Sequence, residues 1–247
     1  MKEFETLAIG CGYASVGYAL AKKNTLIVED GESADTHFYL PLNDFRAVEY
    51  APQTNAGQKL REIFQSFDFY NNGMLNLNGL ECAFCDFIFQ NNVNVYFRTN
   101  VISSVKNNDG YLVTLLTVSG LTEIKVKNII DARADEQAKR EITLLYATDT
   151  PDQVSKQLQN SFENSRIEKA FFDSRYAIHI PTTKDYSQTL IYVLDKWKMV
   201  NPTAKIIAFA PTLTLKGKGV SPLYDGRYSC PEQALDNGII LANGGAM

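Results

Sequence analysis

Apolar positions come in three rhythms along this chain, and each predicts a different kind of element. The first stretch, Thr6 to Asp30, opens with a continuous apolar run, Thr6 to Ile9, which breaks at Gly10-Cys11-Gly12. It resumes among small residues at helical spacing and closes in a second apolar run ended by Glu29. This pattern predicts a strand, a tight turn, a helix and a second strand. From Asn55 to Tyr70, the residues Leu60, Ile63, Phe64 and Phe67 share one helical face. Asn78-Gly-Leu-Glu81 has the form of a capping box, and Leu80, Phe84, Phe87 and Ile88 continue a second amphipathic helix.

Alternation then takes over. Val93, Val95 and Phe97 predict a strand, and Val101 to Val105 follows in the same style. Asn107-Asn108-Asp109-Gly110 is a hairpin turn into Tyr111 to Val118, and Ser119-Gly120 reverses the chain before Leu121 to Val126. The polar pair Lys127-Asn128 precedes Ile129-Ile130-Asp131-Ala132. The expected order is a strand, a three-stranded antiparallel meander and a separate return strand. In the second half, Glu141 to Thr148 alternates as a half-buried strand, Pro151 opens a polar helix, and Tyr176 to Ile180 and Lys205 to Pro211 read as strands. Thr189 to Leu194 fits a strand or a helix.

Composition narrows the class. With 247 residues, 45% apolar and 21% charged, the chain is long enough for one large domain or a domain with a smaller insertion. A net charge of −4 without a strong basic run argues against a partner held by nucleic-acid phosphates. No stretch reaches the roughly 20 apolar residues that span a bilayer, and no cleavable signal precedes the first strand, so a cytoplasmic protein is expected. The 4 cysteines, Cys11, Cys82, Cys85 and Cys230, are too scattered for a disulfide framework. Cys82 and Cys85 could share one helix face as a redox pair, but no second ligand pair completes a metal site, and two small core residues is the favoured reading.

The chemistry concentrates in the first stretch. Gly10 permits a tight turn, and Gly12 lets backbone approach a pyrophosphate at the helix N-terminus, with Ala14 and Ser15 continuing the G-x-G-x-x-S pattern. Ser15 stands where a third glycine is usual; Ala14, Gly17 and Ala21 keep a slim stripe suited to packing on the sheet. Glu29, 19 residues after Gly10, is placed to accept ribose hydroxyls, with Asp30 beside it. Ser33, His37 and Arg46 follow in an irregular segment that leaves the nucleotide site.

The glycine turn, Glu29, the meander and I-I-D-A together resemble the FAD-dependent oxidoreductases with a two-dinucleotide-binding-domain flavin fold, in the branch whose return strand reads I-D-A-T-G-D. The resemblance runs from about residue 5 to 135. It implies an α/β fold: a Rossmann-like FAD-binding domain with a β-meander crossover, plus a smaller α+β substrate domain. The implied FAD-binding domain comprises 1–50, 90–135 and 217–247, and 51–89 and 136–216 form the substrate segments. It implies FAD as cofactor, held by Gly10, Gly12, Ala14, Ser15 and Glu29, by Val101 near the adenine, and by Asp131 and Ala132 on the return strand. Arg133 and Ala134 stand where the family shows Thr and Gly. Near the C-terminus, Asp225-Gly226 inverts the family's Gly-Asp pair that contacts the ribityl and phosphate region, and a helix beginning around Gln233 would point at the flavin.

The implied activity is hydride or electron transfer between a small-molecule substrate and bound flavin. His179, His37 and Tyr228 are candidate acids or bases, since an imidazole titrates near neutral pH; Arg175 is a weaker candidate. The short substrate segments would leave the flavin face open, to be covered by a second copy or a partner subunit. The alternative is a flavin-fold binding or scaffold subunit without chemistry; a NAD-linked dehydrogenase fits Glu29 but not the meander. No metal site and no membrane or nucleic-acid partner is expected.

Overall fold

The computed structural model describes residues 1–34, 38, 42, 49–71, 74–77, 79–133, 139–200, 202–216 and 221–245. The first half runs β1 (Lys2–Ile9), α1 (Tyr13–Ala21), β2 (Thr25–Val28), α2 (Asn55–Ser66), β3 (Tyr70–Asn71), β4 (Met74–Leu75), α3 (Leu80–Gln90), β5 (Asn94–Tyr96), β6 (Asn100–Asn107), β7 (Gly110–Thr117) and β8 (Gly120–Asp131). The second half continues with β9 (Lys139–Ala147), α4 (Pro151–Ser161), β10 (Arg166–Lys169), β11 (Arg175–Thr182), α5 (Tyr186–Val200), β12 (Lys205–Phe209), β13 (Thr214–Lys216), a single 3-10 turn (Asp225–Arg227) and α6 (Pro231–Ala242).

The first sheet has the order β5-β2-β1-β8-β7-β6. Its strands β5, β2, β1 and β8 are parallel, and β8, β7 and β6 form the antiparallel meander. The meander takes the place of a crossover helix, as expected. One correction concerns the return strand. It is not separate from the meander: β8 pairs with β7 from Gly120 to Val126 and with β1 from Ile124 to Asp131, so a single strand serves both. Lys127 and Asn128 do not break it: both side chains are exposed, Asn128 stays in register with Thr6 of β1, and Lys127 meets Glu5.

Both faces of β1 and β2 are covered. Leu7, Leu26 and Val28 pack against Val113, Leu115, Ile124 and Val126 of the meander. Ala8 and Ile27 face the opposite way, into a core shared by α1, α2, α3 and α6. In that core the Tyr13 ring stacks on Phe84 at 3.7 Å between centroids. The amphipathic faces of α2 and α3 bury Leu60, Phe64, Leu80 and Phe87 in the same core as Cys11 and Tyr13. The N-cap of α3 is Gly79, at φ 89°; Asn78, the capping residue expected from the sequence, lies outside the described residues.

The slim stripe on α1 has a different neighbour from the one expected. A Cβ on Gly17 would lie 2.0 Å from the Leu235 carbonyl oxygen, and one on Gly238 would lie 2.0 Å from that of Ala14. The stripe lets α1 and α6 touch backbone to backbone, rather than fitting α1 to β1. Gly17→Ala and Gly238→Ala are each expected to destabilise the protein by about 1–3 kcal/mol through overpacking, seen as a lowered melting temperature. Unchanged melting in both variants would contradict this close crossing.

The second sheet is antiparallel, β10-β11-β9-β12, with β13 also on β9. Ile142, Leu144, Tyr146, Ile178 and Ile180 form one buried face, covered by Val154 and Leu158 of α4 and Val193 and Trp197 of α5. The segment around Thr189 to Leu194, left open between strand and helix by its pattern, is helical. No helix among the described residues is long and apolar enough to cross a membrane.

Candidate functional site

The site forms where the parallel strands end. In sheets of this kind, ligands bind beyond the strand C-termini at the point where strand order reverses, which here is the end of β1. Gly10 makes the turn at φ +104°, and its amide donates to the Val28 carbonyl at 2.8 Å. The Thr99 amide donates to the Glu29 carbonyl and the Arg98 amide to that of Gly31, each at 2.9 Å, which fixes the start of β6 opposite the end of β2. Between them lies a cleft of about 200 Å³, lined by Ile9, Gly10, Val28, Glu29, Asp30, Thr99, Asn100, Val101 and Arg133.

Glu29 lies at the floor of this cleft, 6% exposed. Its Oε2 accepts the Cys11 amide at 2.7 Å and its Oε1 accepts the Gly31 amide at 3.1 Å. Burial raises its pKa above the ordinary carboxylate value, with the two amides pulling the other way. Arg133 folds over the turn, its Cγ 3.6 Å from where a Cβ on Gly10 would lie, and its guanidinium forms a two-point ion pair with Asp131. Ala132 is buried against the turn, its amide donating to the Ile9 carbonyl at 2.8 Å.

The other side of the turn is closed by the C-terminal segment. Asp225 is fully buried; its Oδ2 accepts the Tyr13 amide at 2.7 Å and its Oδ1 the Ala14 amide at 2.9 Å, across 212 and 211 residues of sequence. These are first-turn amides of α1, which have no partner within the helix and carry the positive end of its dipole. A Cβ on Gly12 would lie 2.3 Å from Asp225 Oδ2, so the close approach that Gly12 permits is made in this structure by a carboxylate of the chain itself. Burial pushes the Asp225 carboxyl up to about 7, against the pull of the Ala14 and Tyr13 amides. Gly226 is required by packing: a Cβ there would lie 2.4 Å from the Tyr224 ring. Ser15 is buried in the same first turn, and its Oγ has no hydrogen-bond partner among the described residues.

Gly10, Glu29, Asp30 and Val101 thus meet in one cleft, with Gly12, Ala14, Ala132 and Asp225 packed around its turn. The remaining candidates are elsewhere. Gln233 does not reach the turn: its Oε1 accepts the Ser229 amide and hydroxyl at 2.8 and 2.7 Å, closing the start of its own helix. Tyr228 donates its hydroxyl to the Pro222 carbonyl at 2.5 Å, and burial pushes its phenol up to about 12. His179 is 1% exposed on the second sheet, on the face turned away from α4 and α5, with Nδ1 3.0 Å from Thr143 Oγ1 and Nε2 3.7 Å from Glu168 Oε2. Arg175 is on the same strand, its guanidinium over the Phe172 ring. His37, Arg46 and Ala134 lie outside the described residues. Cys82 is exposed and Cys85 half-buried on α3.

Sequence reasoning missed Thr99, Asn100 and Arg133 as lining residues. Their signal was position: two precede Val101 and one follows I-I-D-A.

No protein-family model matches the sequence, and no curated protein matches it. Solved structures do match. The p-nitrophenol 4-monooxygenase of Pseudomonas putida superposes with a TM-score of 0.57 at 11% identity, over 98% of this chain and 78% of that one. A geranylgeranyl bacteriochlorophyll reductase-like protein of Thermoplasma acidophilum gives 0.56 at 12% identity, over 98% and 78%. A flavoprotein/dehydrogenase of Cytophaga hutchinsonii gives 0.51 at 13% identity, over 99% and 80%. The chain has the Rossmann-type α/β fold that these proteins share.

Proposed function

We propose that this chain binds FAD at the glycine turn and works as a flavin-dependent oxidoreductase on a small molecule. The observation that carries the reading is the convergence of three separate parts of the sequence at one strand end: the turn at Gly10, the acid at Glu29 and the C-terminal Asp225. The fold shared with a monooxygenase, a reductase-like protein and a flavoprotein/dehydrogenase supports it.

The residues present fit the group. The cleft between Glu29 and Val101 suits an adenosine, with Glu29 and Asp30 as acceptors for sugar hydroxyls. Tyr13 and Ala14 supply amides for a diphosphate at a helix N-terminus. With the diphosphate on those amides, the Asp225 carboxyl would be displaced from them and could take a hydroxyl of the ribityl chain instead. Bound flavin would supply the redox chemistry, taking up or giving hydride at N5. The chain's part is to hold and orient it, with Arg133 and Ala132 closing over Gly10. Neither His179 nor Tyr228 lines the cleft, so no acid or base is assigned to the reaction.

The second reading, a flavin-fold subunit without chemistry, is favoured by one observation: Asp225 already satisfies the amides a diphosphate would use. Colour separates the two. Protein purified or reconstituted with FAD is expected to show flavin absorption that dithionite bleaches; colourless protein that takes up no FAD would leave the scaffold reading standing.

A further inference from the structure

Three amides at the glycine turn are held by carboxylates of the chain itself, Cys11 by Glu29 and Tyr13 and Ala14 by Asp225. A helix N-terminus draws an anion, and the anion seated on α1 is a fully buried side chain from the other end of the sequence. On the far side of Gly10 the cleft remains open, but at about 200 Å³ it is smaller than the roughly 300–1,000 Å³ of pockets that enclose whole drug-sized ligands. It has room for half of a dinucleotide. Arg133, which lines it, has its guanidinium on Asp131, leaving Glu29 and Asp30 to face hydroxyl groups.

We propose that the cleft takes its ligand by an adenosine half, and that Asp225 decides whether a diphosphate can follow. An uncharged nucleoside binds with Asp225 seated; a dinucleotide binds only when Asp225 has released the Tyr13 and Ala14 amides. The choice of adenosine rests on the flavin reading above, and the gating by Asp225 deepens it.

Protonation is the route to release. A protonated carboxyl turns one acceptor oxygen into a donor, which then faces an N–H and loses its hold. Burial places this change near neutrality, at about 7. Tyr224 and Tyr228 face Asp225 from its own segment, with Arg227 acting on Tyr228. From α1 it meets the two amides, and the other carboxylate on the turn is Glu29, held by Cys11.

Calorimetric titration of the full chain with adenosine, ADP-ribose and FAD at about pH 6 and about pH 8.5 tests this, since the diphosphates of the two larger ligands keep their charge across that range. ADP-ribose is expected to bind at least about tenfold tighter at the lower pH, and adenosine to change by less than about twofold. Asp225→Asn, with folding checked by circular dichroism, is expected to abolish the pH dependence and tighten ADP-ribose at the higher pH. Equal ADP-ribose affinity at both pH values in the wild-type chain, or no binding of adenosine, overturns the proposal; this arm holds even where the variant fails to fold. If the adenosine and ADP-ribose results hold but FAD never binds, the flavin reading fails alone. If FAD binds equally tightly at both pH values, the gate fails alone.

Discussion

Arg61→Met is expected to cost the fold about 3–5 kcal/mol, the usual penalty for leaving a buried charge without its partner. Glu232 is fully buried on α6; its Oε1 accepts Arg61 Nε from α2 at 3.2 Å and also the Tyr70 hydroxyl. One turn further along α6, the buried Asp236 accepts the Tyr50 hydroxyl, the Gln53 amide and the Thr54 hydroxyl, and Thr54 in turn caps α2. These two carboxylates tie the C-terminal helix to α2 and to the segment leading into it, and they hold α6 in line behind the 3-10 turn that carries Asp225. Met keeps the apolar stem of Arg61 but removes the cation. The double variant Arg61→Met/Glu232→Gln is expected to regain most of the loss, since a pair neutralised together leaves no stranded charge. Urea unfolding measures both, and a single variant as stable as the wild type would show that the pair does not hold these helices.

The second large effect is a dependence of stability on pH centred on Asp225. Its folded pKa is raised from the ordinary 3.8 to about 7, so between those values the folded chain keeps a proton that the unfolded chain has lost. Stability from this group is complete below about pH 4 and falls as pH rises through about 7, by on the order of 4 kcal/mol. Other carboxylates change over the same range, so the comparison is between the wild type and Asp225→Asn. The wild type should lose stability relative to the variant as pH rises from about 4 to about 7. Parallel stability curves would mean that burial does not raise the Asp225 carboxyl in the folded chain.

The first βαβ unit was legible because its signals are local: an apolar run, two glycines, a helical stretch of small residues, and an acid at the end of the next run. The hairpin turns at Asp109-Gly110 and Ser119-Gly120 likewise announce the meander within a few residues. What failed had partners far away in sequence. Lys127-Asn128 reads as a break only until the pairing of Ile124 to Asp131 with β1 is known. The stripe at Ala14 and Gly17 calls for a close neighbour without saying that it is α6 rather than β1. Glu232 and Asp236 look like the polar face of a helix, and partners such as Arg61 and Tyr50, 171 and 186 residues away, explain their burial. Of the candidate site, Gly10 and Glu29 are singled out by spacing and Asp225 by the family resemblance, and the structure brings them to one strand end. That Asp225 would itself take the first-turn amides of α1 was visible in neither.

The most direct measurement is a crystal structure of the protein soaked with FAD at about pH 6, where a group with a pKa near 7 is mostly protonated. Density is expected for an adenosine between Glu29 and Val101 and for the diphosphate on the Tyr13 and Ala14 amides, with the Asp225 carboxyl moved off them. An empty cleft with Asp225 still seated on both amides would contradict this expectation.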